Sequence, residues 1–340
     1  MTLNILIAGA GAVGQVYAWH LAQAGHKVHF FVKSAYVKDL EAGLTLYRLG
    51  YGLIFGHTKS KVQHLSDFGV LSDPHTVSTM KWDQVWLTFS SDALRSDLAN
   101  ELLAAVGTAT VVCLQPDLQD GNYVQTRVAP HQVVQGMIPF LSYQTPFPGQ
   151  PGPQGIAYFL PPGMPTIVGI QPGNGSMERV HDVVGALRSG DLSAKAVQDF
   201  GRSTATAPAL LQPLIAALEL NDWNLNSLPT SANLNLGLAA AKEAIAVAAT
   251  HTGASTTPLR ILLQPLVWRM LLPIMRRFFP LDLETYLQYH FSKTAIQTRL
   301  MLENYATLAE EQGLSAVALT QLRQAMPSLP QHKPHRAEVR

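Results

Sequence analysis

The sequence predicts an α/β chain: an N-terminal doubly wound parallel sheet followed by a mostly helical C-terminal domain. Three observations carry this. A strand, a glycine turn, a helix and a second strand open the chain within Leu3–Lys33. Short apolar runs then alternate with helical patterns to about residue 200, the rhythm of βαβ units in a parallel sheet. From about Ala205 strand patterns vanish and long helical patterns take over. The expected organisation is a nucleotide-binding domain over 1–204, a helical domain over 205–326 and a disordered tail over 327–340.

The opening unit is the most informative. Leu3–Ala8 is an apolar run of buried-strand length. Gly9, Gly11 and Gly14 follow in G-x-G-x-x-G spacing, within Gly9-Ala10-Gly11-Ala12-Val13-Gly14. In a dinucleotide site the first glycine permits the tight turn, the second admits the pyrophosphate and the third lets helix pack on strand. The helix predicted over Ala12–Ala24 would present its free N–H groups and positive dipole end to that pyrophosphate. Gly25 stops the helix, and Val28–Val32 forms the next strand. An NAD-type site places Asp or Glu at the end of that strand, for the ribose 2′-hydroxyl. Here Lys33 and Ser34 stand there, with Lys38 one turn on and the first acid only at Asp39. A cation at this corner suits a 2′-phosphate, so the expected cofactor is NADP(H).

The remaining elements follow in order. A short helix is predicted over Ala35–Glu41, then strands over Leu44–Tyr47, Gly52–Phe55 and Lys61–Leu65. Gln84–Phe89 is a buried strand leading into a helix over Asp92–Val106, with Ser91 as its cap. Strands are expected over Thr108–Leu114, Val133–Tyr143, Gly155–Leu160 and Thr166–Ile170. Thr145–Gln154, rich in Pro and Gly, has the composition of a connection or of a lid over a site, with connection favoured. Met177–Ser189 reads as a helix capped by Ser176. The helical domain is predicted as Ala207–Leu220, Ala232–Thr250, Leu259–Phe279 and Phe291–Gln312. The third of these mixes Arg260, Arg269, Arg276 and Arg277 with large apolar residues, but Pro265 and Pro273 interrupt it, which favours a core or dimer helix over a membrane-surface one.

Composition narrows the function classes. With 47% apolar and only 14% charged residues in 340, the surface is poor in charge. Burial of part of it in a homodimer is a possibility the composition leaves open. A net charge of +1 offers no electrostatic case for nucleic acid or an anionic membrane. One cysteine, Cys113, excludes a disulfide framework and points to a reducing compartment. A strand beginning at residue 3 leaves no room for a signal peptide, so a cytoplasmic protein is expected. Twelve histidines form neither H-E-x-x-H nor a Cys/His cluster, so no metal is expected. Asn221, Asn224, Asn226, Asn233 and Asn235 cluster around Trp223, mostly as caps and turns, with substrate binding at a domain boundary as the alternative.

The order of parts resembles the ketopantoate reductase (2-dehydropantoate 2-reductase) family. The residues that carry the resemblance are GAGAVG at Gly9–Gly14, the basic corner at Lys33, the strand pair QVWLTF and VVCLQ, and the late helical stretch His290–Leu314. The resemblance implies hydride transfer from NADPH to a 2-keto acid. It further implies a lysine acid on the first helix of the helical domain, a glutamate on a later helix, and an asparagine in a Gln/His-Asn-Gly turn. This chain departs from each. The turn reads Gln115-Pro116-Asp117, so Pro116 holds the asparagine position and only Gln115 matches. Ser90–Ser91 replaces a lysine that often follows the fourth strand. Ala207–Leu220 has no lysine. The glutamate position falls near Gln297, with Glu303 the nearest acid.

Two functions are therefore expected as alternatives. One is an NADP-dependent oxidoreductase acting on an unidentified small carbonyl or hydroxy compound, inefficient on ketopantoate. The other is a non-catalytic dinucleotide-binding sensor or structural protein. Candidate cofactor-binding residues are Gly9, Ala10, Gly11, Ala12, Val13, Gly14, Lys33 and Gln115. Lys293, the best available cation for a substrate carboxylate, and Gln297 are the weak catalytic candidates.

Overall fold

A computed structural model describes residues 1–51 and 58–329. The elements are β1 (Asn4–Ala8), α1 (Ala12–Gln23), β2 (Lys27–Phe31), α2 (Val37–Leu40), β3 (Leu44–Tyr51), β4 (Thr58–Leu65), β5 (Gly69–Leu71), α3 (Pro74–Ser78) and β6 (Gln84–Leu87). Next come α4 (Asp97–Ala105), β7 (Thr110–Cys113), α5 (Asp120–Gln125), β8 (Val133–Met137), β9 (Leu141–Thr145), β10 (Gly155–Phe159), β11 (Thr166–Gly169), α6 (Met177–Ser189) and β12 (Ala194–Val197). Helices complete the chain: α7 (Phe200–Thr204), α8 (Thr206–Leu220), α9 (Ala232–Thr252), α10 (Pro265–Phe278), α11 (Leu283–Lys293), α12 (Ala295–Glu311) and α13 (Val317–Ala325).

The main sheet has eight strands in the order β12-β11-β8-β7-β6-β1-β2-β5. The chain winds outward from β1 to β2 and β5, then returns to β6 and winds the other way through β7 and β8. All these pairs are parallel; β11 is antiparallel to β8. The winding reverses between β1 and β6, and such switch points open a crevice at the strands' C-terminal ends. Alternation along β1 explains why the sheet is covered twice. Ile5 and Ile7 join the core shared with Tyr17 of α1, whereas Leu6 and Ala8 join Leu102 and Leu103 of α4 on the other face.

A second, four-stranded sheet was not foreseen. Its order is β4-β3-β10-β9, with β10 parallel to β3 and the outer pairs antiparallel. It lies over α1, so Leu46, Ile156 and Tyr158 share a core with Tyr17 and Trp86. His20 and Tyr158 are buried between the layers. The His20 Nδ1 lies 2.6 Å from the Gly190 carbonyl, and the Tyr158 hydroxyl is 3.2 Å from His20 Nε2 and 2.8 Å from Gln63 Oε1. Burial pushes the His20 pKa down to about 4, so the ring is neutral and Nδ1–H donates to Gly190.

Several expected boundaries are corrected. Ala35–Glu41 is a 3-10 turn, Ser34–Tyr36, followed by the short α2. The helix expected over Asp92–Val106 begins only at Asp97, capped by Ser96, because Ala93–Arg95 forms a separate 3-10 turn. Val133–Tyr143 is not one strand: β8 belongs to the main sheet and β9 to the second. Leu259–Phe279 starts as a helix at Pro265, where the missing N–H costs nothing. Phe291–Gln312 spans the end of α11 and all of α12, with Thr294 between them. Ser176 caps α6 as expected, its hydroxyl accepting from Arg179 N–H. The strand expected over Gly52–Phe55, and most of the expected tail, lie outside the described residues. No helix of the described residues is long and apolar enough to cross a membrane.

Candidate active site

The glycine turn sits at the switch point. Gly9 has φ +103°, a value that favours glycine, and its N–H donates to Phe31 O at 2.9 Å. The Thr88 hydroxyl, just past β6, lies 2.9 Å from both the Ala8 and Gly9 carbonyls and fixes the turn from the other side of the crevice. A Cβ on Gly14 would lie 2.2 Å from Gly9 O and 2.7 Å from Thr88 Oγ1, so Gly14 is required for α1 to approach β1. Gly11 is different. Its φ of −70° suits any residue, and a Cβ there would meet nothing within 4 Å. What it keeps open is space in front of the first turn of α1, whose N–H groups have no intrahelical partner and no side-chain cap. That open cradle fits a pyrophosphate. Ala10, Ala12 and Val13 pack their small apolar side chains on the core beneath it. At the end of β2, Lys33, Ser34 and Lys38 are all exposed at the corner where a ribose would lie.

From this turn a cleft of about 770 Å³ runs between the ends of β6 and β7 and the inner faces of α8, α10, α11 and α12. Val13, Thr88, Phe89 and Gln115 line its nucleotide end. The Gln115 amide is already engaged: Nε2 donates to Phe89 O at 2.7 Å and Leu87 O at 3.2 Å, and Oε1 accepts from Cys113 Sγ at 3.1 Å. It ties the ends of β6 and β7 into one floor.

Gln297 bridges the two halves. Its Oε1 accepts from Ser91 N–H at 2.9 Å, bringing α12 onto the loop after β6. Ser91, expected as a helix cap, is instead fully buried and donates to Asp120 Oδ2 at 2.6 Å. Asp120 also accepts from Asp117 N–H at 3.1 Å and from Arg95 at 2.7 Å, while Arg95 donates to Ser91 O. This buried cluster holds the Ser90–Ser91 loop against the Gln115-Pro116-Asp117 turn. Burial first, and the Asp120 charge second, push the Asp117 pKa up to about 6.

Lys293 is elsewhere. Its ammonium bonds to the Tyr289 hydroxyl and sits 3.9 Å over that ring, and it is not among the described residues lining the cleft. The asparagine cluster is spent on turns: Asn221 donates to Asn224 O and Ser227, Asn224 accepts from the N–H groups of Asn226 and Ser227, and Asn233 donates to Leu220 O.

Two cleft residues were missed from the sequence. Gln212 on α8 is 4% exposed, and its Oε1 is buried without a hydrogen-bond partner. His290 on α11 stacks on Tyr286 at 5.5 Å, and burial, helped by the Lys293 charge, pushes its pKa down to about 4. For Gln212 the available signal was its isolation as a polar group within the apolar run PALLQPLIAAL; His290, beside Gln288 and Lys293, gives no such signal.

A doubly wound sheet with an open glycine cradle at its switch point, closed by a helical half, defines a two-part dinucleotide-binding fold. Residues 5–150 match the family model described as Ketopantoate reductase PanE/ApbA, so the first part of this chain carries that family's domain. The 2-dehydropantoate 2-reductase from Geobacter metallireducens GS-15 has a similar structure (TM-score 0.71, 15% identity, 95% of this chain and 98% of that one). So does that from Methylococcus capsulatus (TM-score 0.63, 18% identity, 96% and 99%). A ternary structure of D-mandelate dehydrogenase with NADH and anilino(oxo)acetate matches equally widely (TM-score 0.69, 14% identity, 95% and 96%). A search of curated proteins finds no match. The resemblance read from the sequence is borne out in this domain and in the fold.

Proposed function

We propose that this chain is an NADP(H)-dependent oxidoreductase acting on a carbonyl or hydroxyl group held in the cleft, and that it is a poor ketopantoate reductase. The observation that carries the proposal is the continuity of the cleft, from the glycine cradle at Val13 and Thr88 to Gln212, His290 and Gln297 on the helical wall. Bound NADPH would supply hydride: the carbonyl carbon takes it, the π pair moves to oxygen, and a proton from water completes the alcohol as NADP⁺ is left. The chain's own contribution is placement. Gly11 leaves room for the pyrophosphate, and the Phe89–Ser91 loop and the Gln115 floor are held in position by Gln297 and the Asp120 cluster. Exposed Lys33, Ser34 and Lys38 support a 2′-phosphate, although the mandelate dehydrogenase structures contain NADH.

The second reading, nucleotide binding without turnover, is favoured by Pro116 at the family's asparagine position and by the absence of Lys or Arg among the described residues lining the cleft. Fluorescence titration with NADPH and NADH, followed by a panel of ketones, aldehydes and keto acids, separates the readings. A charge-assisted bond to a phosphate is worth about 1.5–3 kcal/mol, so NADPH should bind roughly tenfold or more tightly than NADH. Lys33→Ala should remove most of that preference. Equal affinities in the unmodified protein refute the cofactor assignment, and tight NADPH binding with no turnover on any compound establishes the sensor.

A further inference from the structure

We propose that the cleft is built for an uncharged, bulky apolar carbonyl compound and its alcohol, with the side-chain amide of Gln212 bonding the reacting oxygen. This rests on the oxidoreductase reading above for its chemistry, but the ligand class stands on the wall of the cleft.

The first argument is the lining. Beyond the nucleotide end the wall is made of Leu211, Ile215, Leu228, Trp268, Leu272 and Phe279, and the volume of about 770 Å³ falls within the range of small-molecule sites. An apolar body is recognised there by burial alone.

The second argument is charge. The acidic and imidazole side chains facing the cleft are Asp117, Asp199, His251 and His290. Two are carboxylates, and His290 is held neutral by burial. Among the described cations, Arg95 pairs with Asp120 and Arg299 with Glu219, Arg269 donates to Pro229 O, and Lys293 bonds the Tyr289 hydroxyl. A substrate carboxylate would lose its water and meet the carboxylates of Asp117 and Asp199, which is unfavourable. A neutral ligand escapes that penalty.

The third argument is Gln212. Among the described residues of α8 that line the cleft, Gln212 is the polar one. Its Oε1 is buried with no hydrogen-bond partner. Buried polar groups are almost always paired, so an unpaired amide oxygen on a cavity wall marks a place for a ligand group. An amide offers both an N–H donor and a C=O acceptor. The donor suits a carbonyl oxygen and the acceptor suits the hydroxyl of the alcohol, so one side chain serves both redox states without carrying charge.

The test uses a matched pair of probes, phenylglyoxylate and its methyl ester, which share the reacting keto group and differ in charge. Calorimetric titration of the full-length protein, with and without NADP⁺, should show the ester binding at least tenfold more tightly than the acid. Gln212→Leu should weaken the ester about tenfold yet melt about 2 °C higher, because an unpaired buried amide oxygen is removed. Ester binding with turnover on NADPH supports both the ligand class and the oxidoreductase reading. Ester binding without turnover supports the ligand class and counts against the oxidoreductase reading alone, which falls if the ketone, aldehyde and keto-acid panel also fails. Tighter binding of the acid, or no binding of the ester at millimolar concentration, overturns the ligand class. A Gln212→Leu protein that binds the ester as before overturns the role of Gln212.

Discussion

The two sides of the cleft were assembled by different means. On the nucleotide side the important groups are backbone: the Gly9 turn, the open space at Gly11, the closeness allowed by Gly14 and the free N–H groups of α1. On the helical side they are side chains, Gln212, His290 and Gln297, brought together from α8, α11 and α12. A backbone site needs particular residues at fixed short spacing, because only those leave the required room. A side-chain site needs only that some residue on a helix face point inward, so the fold does not dictate which residue that is.

That contrast can be broken most sharply at the glycines. Gly14→Val places atoms inside contact distance of the Gly9 carbonyl and should prevent α1 from docking; loss of soluble, cooperatively melting protein is the expected result. Gly11→Val places its Cβ where no protein atom lies within 4 Å and has ordinary φ, so its melting temperature should stay close to that of the parent, while NADPH affinity falls about a hundredfold or more by fluorescence titration. If both variants unfold, or both bind NADPH, the division of labour between these glycines is wrong.

The same contrast explains what was legible in the sequence. β1, α1, β2, β6, β7 and the glycine cradle could be read because buried parallel strands are continuous apolar runs and the cradle is local. The second sheet could not, because β3 and β10 are neighbours separated by more than a hundred residues of chain order, and nothing in either strand names its partner. Ser91 was misread as a cap because Ser96, five residues on, carries the same local signal; only the fold brings Asp120 to Ser91. Gln297 follows from counting back from the chain end to the position the resemblance implies, and it lines the cleft. Lys293 came from the same stretch, but one helix earlier, and faces Tyr289.

A smaller effect sharpens the comparison from the structural side. His20, fully buried between the two sheets, has its folded pKa lowered to about 4 from 6.5. Its contribution to stability is therefore present above about pH 6.5 and is lost as pH falls from there toward 4. Between pH 7 and pH 5 that loss should amount to about 2 kcal/mol in urea unfolding. His290, also lowered to about 4, acts in the same direction. Asp117, raised to about 6, acts oppositely, since its folded form retains the proton and its contribution fades as pH rises from about 4 through 6. Replacing His20 with Gln should flatten the acid side of the profile even though the variant is less stable at pH 7. An unchanged slope would mean that His20 is not the buried neutral group described here.

The central proposal, that the glycine cradle binds NADPH while the helical wall supports ketopantoate reduction poorly, meets its most direct test in steady-state oxidation of NADPH by purified protein with ketopantoate as substrate. Loss of a general acid costs about 10²–10⁴ in rate, and effects of groups acting together do not simply multiply. The account predicts NADPH binding with ketopantoate turnover far below the ordinary enzyme range of about 1–10³ s⁻¹. Turnover within that range would contradict it, and would show that the residues at Gln212, Gln297 and Pro116 support the family's reaction as they stand.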